Sequence, residues 1–289
     1  MKHTSSGKLD RRLLPVIRGL IAVLMIFCLT ACVPSARALA DDQAGNGVAV
    51  LVFHSLQTGV RSNSTVMSPA DFELTLVRLE QSGFQFIALN QFHAFLEGKA
   101  SVPPRAVLIT FDDGYRDNYE YAHPILFRWD IPAVVFPVAK WFSPPPHQKP
   151  NRPHLTADEV REMLASGLWS FGCHSYDGHR MVVRGGPFLT SRYPGETLRA
   201  YRARLGKDIQ LCRSEMARLG INPVDYAPPM GAINRESMAM LSKGGFKYIY
   251  VQGKRLNRPG STVIHRVTAI SPEQVVRDLQ ELFAEKGGR

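Results

Sequence analysis

Two adjacent carboxylates, Asp112 and Asp113, end the apolar run Ala106-Val107-Leu108-Ile109-Thr110-Phe111 and are followed at once by Gly114. Leaving a buried strand together, such a pair can divide the work of hydrolysis: one carboxylate holds a divalent metal while the other moves a proton. Matching ligands come later in the chain. His174 and His179 bound the segment His174-Ser175-Tyr176-Asp177-Gly178-His179, which follows the short run Leu168-Trp169-Ser170-Phe171-Gly172-Cys173, so these imidazoles also emerge at a strand end. One carboxylate and two imidazoles leave a coordination position open for water. That donor set suits zinc, and cobalt, nickel or iron take the same ligands. Taken alone, Asp113-Gly114 reads as a turn closing a strand, and the histidines read as hydrogen-bonded structural residues. Together the two segments point to metal-assisted hydrolysis. A two-histidine, one-carboxylate oxygenase would not need the second Asp.

The surrounding elements must bring these groups together. Residues 48–53 form a continuous apolar run, a buried strand, and Ser68-Pro69-Ala70-Asp71 opens a helix with a capping hydroxyl, a proline in its first turn and early negative charge. Strands are expected at 84–89, 106–110, 133–136, 168–173 and 248–251. Helices are expected at 91–96, 118–129, 156–165, 196–219 and 234–243, with a last one capped by Ser271. Repeated βα units with near-continuous apolar strands predict a parallel sheet with helices outside. Periodicity leaves open whether the sheet is open or closed. Asp112, Asp113, His54 and His174 each follow an apolar strand, where such folds carry catalytic groups.

Thr110-Phe111-Asp112-Asp113-Gly114, continued by Tyr115-Arg116-Asp117-Asn118-Tyr119, resembles the first motif of the polysaccharide deacetylases (NodB-homology, carbohydrate esterase family 4), and 174–179 resembles their second. The resemblance runs from about Val48 to about Leu282. It implies a distorted or incomplete (β/α) barrel with the site at the C-terminal strand ends. It also implies Asp112 as general base, Asp113, His174 and His179 as ligands of a divalent metal, and hydrolysis of an N-acetyl group from an amino sugar. Val52-Phe53-His54 and Asp177 resemble the poly-N-acetylglucosamine deacetylase branch, which makes biofilm poly-β-1,6-N-acetylglucosamine the expected substrate and places His54 at the metal site or the sugar pocket. Chitooligosaccharide or peptidoglycan is the alternative substrate. A catalytically weak glycan-binding lipoprotein that guides polymer export is the non-enzymatic alternative, although a pure binder needs no base beside its ligands.

Tyr226-Ala227-Pro228-Pro229-Met230-Gly231 resembles the family's third motif, so Pro229, Met230 and Gly231 are expected to shape a substrate groove. Ala227 stands where many members carry an arginine that holds the catalytic Asp, and the poly-N-acetylglucosamine branch tends to lack it. In Val263-Ile264-His265-Arg266 the resemblance makes His265 a candidate acid for the leaving amine. The favoured branch often carries an arginine on this strand instead, here Arg266.

Lys2, Lys8, Arg11, Arg12 and Arg18 precede the uncharged stretch 20–29, which is short for a membrane span and reads as a signal peptide. Leu29-Thr30-Ala31-Cys32 resembles a lipobox with Cys32 as the lipidated residue. The expected organisation is a lipoprotein signal peptide at 1–31, a flexible tether at 32–47 and a catalytic domain at 48–289, exported and anchored on the periplasmic face of the outer membrane. Of 35 Lys/Arg and 25 Asp/Glu, five and one fall in residues 1–31, leaving 30 against 24 and a formal +6 in place of +10. Without a clustered base-reading motif, that mild charge excludes nucleic acid as a partner. Export partners are expected for a polymer-modifying lipoprotein. Cys173 and Cys212 either form one disulfide or are buried small residues. Cys173 is disfavoured as a ligand because strand neighbours point to opposite faces. The Pro-rich loop at 144–153 reads as a connector or a groove rim, and the basic stretch 180–213 as a solvated helix face or a surface for anions.

Overall fold

The computed structural model describes residues 47–144, 147–148, 150–182 and 185–284. The expectations for 1–31, for the tether apart from Gly47 and for lipidated Cys32 lie outside the described residues. No helix among the described residues is long and apolar enough to cross a membrane.

Runs of Val, Ile, Leu and Phe give the strands β1 (Ala49–Phe53), β2 (Gln85–Phe86), β3 (Ala106–Asp113), β4 (Ala133–Pro137), β5 (Trp169–Phe171), β6 (Asp225–Tyr226), β7 (Tyr248–Gln252) and β8 (Val263–Thr268). All pair in parallel, in the order β6-β7-β8-β1-β3-β4-β5, with β2 beside the start of β3. The ends of this sheet meet at one bridge. Cys173 N–H donates to the Asp225 carbonyl at 3.0 Å, and Ala227 N–H donates to the Cys173 carbonyl at 2.9 Å. The result is a nearly closed (β/α) barrel with a thin seam between β5 and β6, as expected from the family resemblance.

Alternation along each strand divides the apolar side chains into two layers. Val50, Leu108, Val134, Phe136, Ala227, Tyr250 and Ile264 fill the inside of the barrel. Ala49, Leu51, Ile109, Val135, Phe171, Ile249 and Val267 belong to a second cluster, packed under the helices. Gly172 is required at the seam because a Cβ there would lie 2.3 Å from the Phe136 ring.

The helices are α1 (Pro69–Gln81), α2 (Leu89–Leu96), α3 (His123–Trp129), α4 (Ala157–Ala165), α5 (Leu198–Arg218), α6 (Arg235–Lys243) and α7 (Pro272–Ala284). Two starts follow the capping chemistry read from the sequence: Ser68 accepts from Asp71 N–H, and Thr156 and Glu159 form a capping box; α6 adds a cap at Asn234, which accepts from Ser237 N–H. Two expectations need correction. The strand expected at 84–89 shrinks to Gln85–Phe86 because α2 begins at Leu89, where Gln91 Oε1 accepts from Ala88 N–H at 2.8 Å. The helix expected at 118–129 begins as one π-helical turn, Asn118–Ala122, before α3 restarts with Pro124 in its first turn. Within the basic stretch, Arg204 is structural. Its Nε pairs with Glu196 at 2.8 Å, and its guanidinium lies over the rings of Phe188, Tyr193 and Tyr201. A disulfide joins Cys173, facing outward past the end of β5, to Cys212 on α5.

Candidate active site

Strand alternation puts Asp112 inside the barrel, in phase with Leu108 and Thr110, and would turn Asp113 outward. The backbone breaks that pleat. Asp113 adopts φ 68°, a left-handed conformation uncommon outside glycine, and both carboxylates border one cavity. Gly114 continues the turn at φ 71°, where a Cβ would meet Pro137 Cβ at 2.7 Å. Val138 N–H donates to the Asp113 carbonyl at 3.1 Å and holds the bend against β4.

Asp112 is gripped by Arg266. The guanidinium donates from Nη1 to Oδ1 and from Nη2 to Oδ2, each at 2.7 Å, and the two residues are 4% and 2% exposed. Nη1 also approaches Thr110 Oγ1 at 3.3 Å, and that hydroxyl donates to the Leu51 carbonyl. The rings of Phe136 and Tyr250 flank the guanidinium, in the inner cluster where Ala227 lies. Burial alone would raise the Asp112 pKa, but the charges of Arg266 and His174 outweigh it and hold the carboxyl below its ordinary value of 3.8.

Asp113 Oδ1 lies 3.3 Å from Nε2 of both His174 and His179, and one donor atom from each residue falls within 4.8 Å of the others. Asp113 and His174 are buried, whereas the His179 side chain is 36% exposed at the rim. Asp113 Oδ1 is buried and accepts no hydrogen bond. One anionic oxygen and two imidazole nitrogens converging without a protein partner between them fit a divalent cation. Burial opposes ionisation of Asp113, but His174 and His179 pull its pKa well below the usual carboxylate range. For His174, the two carboxylates overcome burial and raise the pKa, whereas burial and His174 lower that of His179.

The cavity above these groups has a volume of about 610 Å³. His54 borders it, with Nδ1 buried and unpartnered. Burial lowers its pKa despite the nearby Asp112 and Asp113. Asn118 holds the His54 carbonyl at 2.8 Å. Met230 and Gly231 form part of the wall, both with left-handed backbone, while Pro229 is buried at the start of the 3-10 turn that carries them. A second cavity of about 350 Å³ shares Asp113, Tyr115, Arg152 and His179 with the first and adds Trp141, Pro150, Asn151, His154 and Asp177. The cleft therefore extends to both sides of the Asp113–His174–His179 cluster. Pro150, Asn151 and Arg152 make part of the Pro-rich loop a groove rim.

His265 is not part of the site. It sits out of phase with Arg266 and Thr268, which border the cavity, and in phase with Val267 of the outer cluster. Its Nδ1 would lie 2.6 Å from a Cβ on Gly253. Strand alternation therefore turns the expected acid, His265, away from the cavity, and the arginine alternative on the same strand is the one that reaches Asp112. Tyr115 comes from the continuation of the first motif and Arg152 from the Pro-rich loop, whereas Trp141 and His154 belong to no motif and carry no sequence signal, because they reach the cleft from separate loops.

A model of the polysaccharide deacetylase family matches residues 99–249. The chain is 26% identical over 196 residues to the poly-beta-1,6-N-acetyl-D-glucosamine N-deacetylase of Staphylococcus aureus, an overlap covering 68% of this chain and 64% of that relative. Among solved structures, it resembles the de-N-acetylase from Aggregatibacter actinomycetemcomitans with a TM-score of 0.73 and 24% identity, over 81% of this chain and all of that one. It also resembles IcaB from Ammonifex degensii with a TM-score of 0.70 and 26% identity, over 81% of this chain and 97% of that one.

Proposed function

Because this chain belongs to the polysaccharide deacetylase family, we propose that it hydrolyses N-acetyl groups from an N-acetylglucosamine polymer, with poly-β-1,6-N-acetylglucosamine as the substrate. The observation that carries this reading is the buried Asp112–Arg266 pair beside the Asp113–His174–His179 cluster, in a cleft open on both sides of the cluster. A base next to a ligand set serves hydrolysis, and a two-sided cleft suits a unit inside a polymer. The name of the Staphylococcus aureus relative supports the linkage.

Asp113, His174 and His179 would hold a divalent cation, zinc by donor type with cobalt, nickel or iron as alternatives. A cation there would supply Lewis acidity to the acetamide carbonyl and to the attacking water. Asp112 accepts the proton of the attacking water. Arg266 keeps Asp112 ionised at neutral pH and, by binding both oxygens, fixes the carboxylate plane. With His265 outside the site, Asp112 is also the group that returns the proton to the departing sugar nitrogen. Trp141 and His154 line the cavity on one side of the reacting unit, Met230 and Gly231 line the other, and Tyr115 borders both. Acetate and a free glucosamine unit are the products.

The place of action that we propose rests on the sequence alone: export, lipidation at Cys32 and attachment to the periplasmic face of the outer membrane, beside polymer-export partners.

The test is acetate release by the detergent-solubilised full chain, stripped and reloaded with zinc or cobalt, on β-1,6- and β-1,4-linked N-acetylglucosamine oligomers. The expected result is release that requires metal, prefers the β-1,6 linkage and falls by about 10²–10⁴-fold in Asp112→Asn. Preference for β-1,4 oligomers would shift the substrate to chitooligosaccharide or wall glycan. Glycan binding without release would replace the enzyme by an export-guiding binder.

A further inference from the structure

Asp208 lies on α5, not in any of the sequence motifs, and is 7% exposed. Its Oδ2 accepts from Tyr176 N–H at 3.1 Å and its Oδ1 from Asp177 N–H at 2.8 Å. Both amides belong to the segment between His174 and His179. Among the described residues no Lys, Arg or His forms an ion pair with Asp208. Burying a carboxylate without a cation costs several kcal/mol unless hydrogen bonds offset it. An ionised carboxylate has one property that Asn lacks: two oxygens that both accept.

The rest of the contact makes α5 a clamp. Cys212 lies one helical turn beyond Asp208, on the same face, and is bonded to Cys173, the residue before His174. From the opposite side, Ala139 N–H donates to the Ser175 carbonyl at 2.9 Å and Lys140 N–H to the Tyr176 carbonyl at 3.1 Å, while Lys140 Nζ pairs with Asp177 at 3.0 Å. The Tyr176 residue is thus held through its N–H by α5 and through its carbonyl by the chain leaving β4. Gly178 completes the fit, since a Cβ there would lie 3.3 Å from Asp208 Oδ2 and 3.0 Å from the Phe188 ring.

We propose that Asp208 is a positioning residue for the metal centre: by holding the amides of Tyr176 and Asp177, it sets the spacing of His174 and His179 before a cation arrives. This rests on the metal-centre reading above. Nothing in it requires Asp208 to touch the cation or the sugar. Residues that orient ligands from outside the coordination sphere typically account for 10–100-fold in metal affinity.

The experiment compares the full chain with Asp208→Asn, each loaded with cobalt(II). It reads the visible absorption spectrum, the cobalt dissociation constant by chelator competition, and kcat and KM for acetate release. Asp208→Asn is expected to bind cobalt about 10–100-fold more weakly, with an altered spectrum and lower kcat but KM within about twofold. A variant with parental affinity and spectrum, and only a lower melting temperature, would make Asp208 an ordinary fold residue and overturn the inference. If the parent binds no cobalt, the metal-centre reading falls and takes this one with it. Amide exchange in the metal-free parent reads the clamp without any substitution: Tyr176 and Asp177 N–H should be protected, and exchange at unprotected rates would sink the proposal even if Asp208→Asn does not fold.

Discussion

Arg266 on β8 reaches past β1 to hold both carboxylate oxygens of Asp112 on β3, at 2.7 Å each. Ala227, directly after β6, adds only a methyl group to the inner cluster in which the guanidinium lies between Phe136 and Tyr250. The arginine missing from the third motif is therefore replaced in role by one from a different strand.

Removing Arg266 leaves a buried carboxylate without its cation. Arg266→Met should cost about 3–5 kcal/mol of stability by denaturant melts. It should also move the acidic limb of the kcat/KM profile to higher pH, because the charge that lowers the Asp112 pKa is gone. In the parent, the folded pKa lies below the ordinary value of 3.8, so the stabilisation from this pair is fully present above that value and is lost as pH falls through the folded one. An Arg266→Met enzyme with the parental acidic limb would refute the assignment.

His265 faces away from the cavity, packed against Gly253 and bonded through its backbone N–H to Asn257 Oδ1 at 2.8 Å. His265→Ala should leave kcat and KM for acetate release within about twofold, since only a group near the reacting atoms contributes the 10²–10⁴-fold of acid catalysis. A loss in that range would restore His265 as the acid.

A cation that binds only the folded chain raises its stability by mass action, by about 2.7 kcal/mol when present at 100 times its dissociation constant. Zinc should therefore raise the melting temperature of the parent, and chelation should reverse the shift. Asp113→Ala should show little zinc-dependent shift, because it removes the oxygen that faces both imidazoles. An equal shift in Asp113→Ala would place the cation elsewhere.

The Cys173–Cys212 bond closes a sequence separation of 39 residues and ties α5 to the barrel seam. Cys212→Ser is expected to lose about 2–4 kcal/mol. Its zinc affinity should fall less than that of Asp208→Asn, which releases the loop amides themselves. The reverse order would transfer the clamp from Asp208 to the disulfide.

Local chemistry was legible in the chain. Apolar runs marked β1, β3, β4, β5 and β7, and capping residues marked the starts of α1, α4 and α7. The Asp112-Asp113 pair and the His174 and His179 spacing marked the side chains that the fold gathers at one cleft, because those signals act over a few residues. β2 is shorter than its apolar run because the helix start at Leu89 competes for the same residues, and β6 has two residues, too few for a pattern. What folding decided was direction. Alternation makes neighbours point apart, so whether Asp113 joins Asp112 depends on a left-handed φ held by Gly114, Pro137 and Val138. Whether His265 or Arg266 faces inward depends on the register of β8 against β1 and β7. The grip of Asp208 on 176–177, 31 or 32 positions away in the chain, depends on where α5 lands on the barrel. Sequence patterns report the periodicity of one segment, whereas the meeting of distant side chains is set by strand register and helix packing, which belong to the folded chain as a whole.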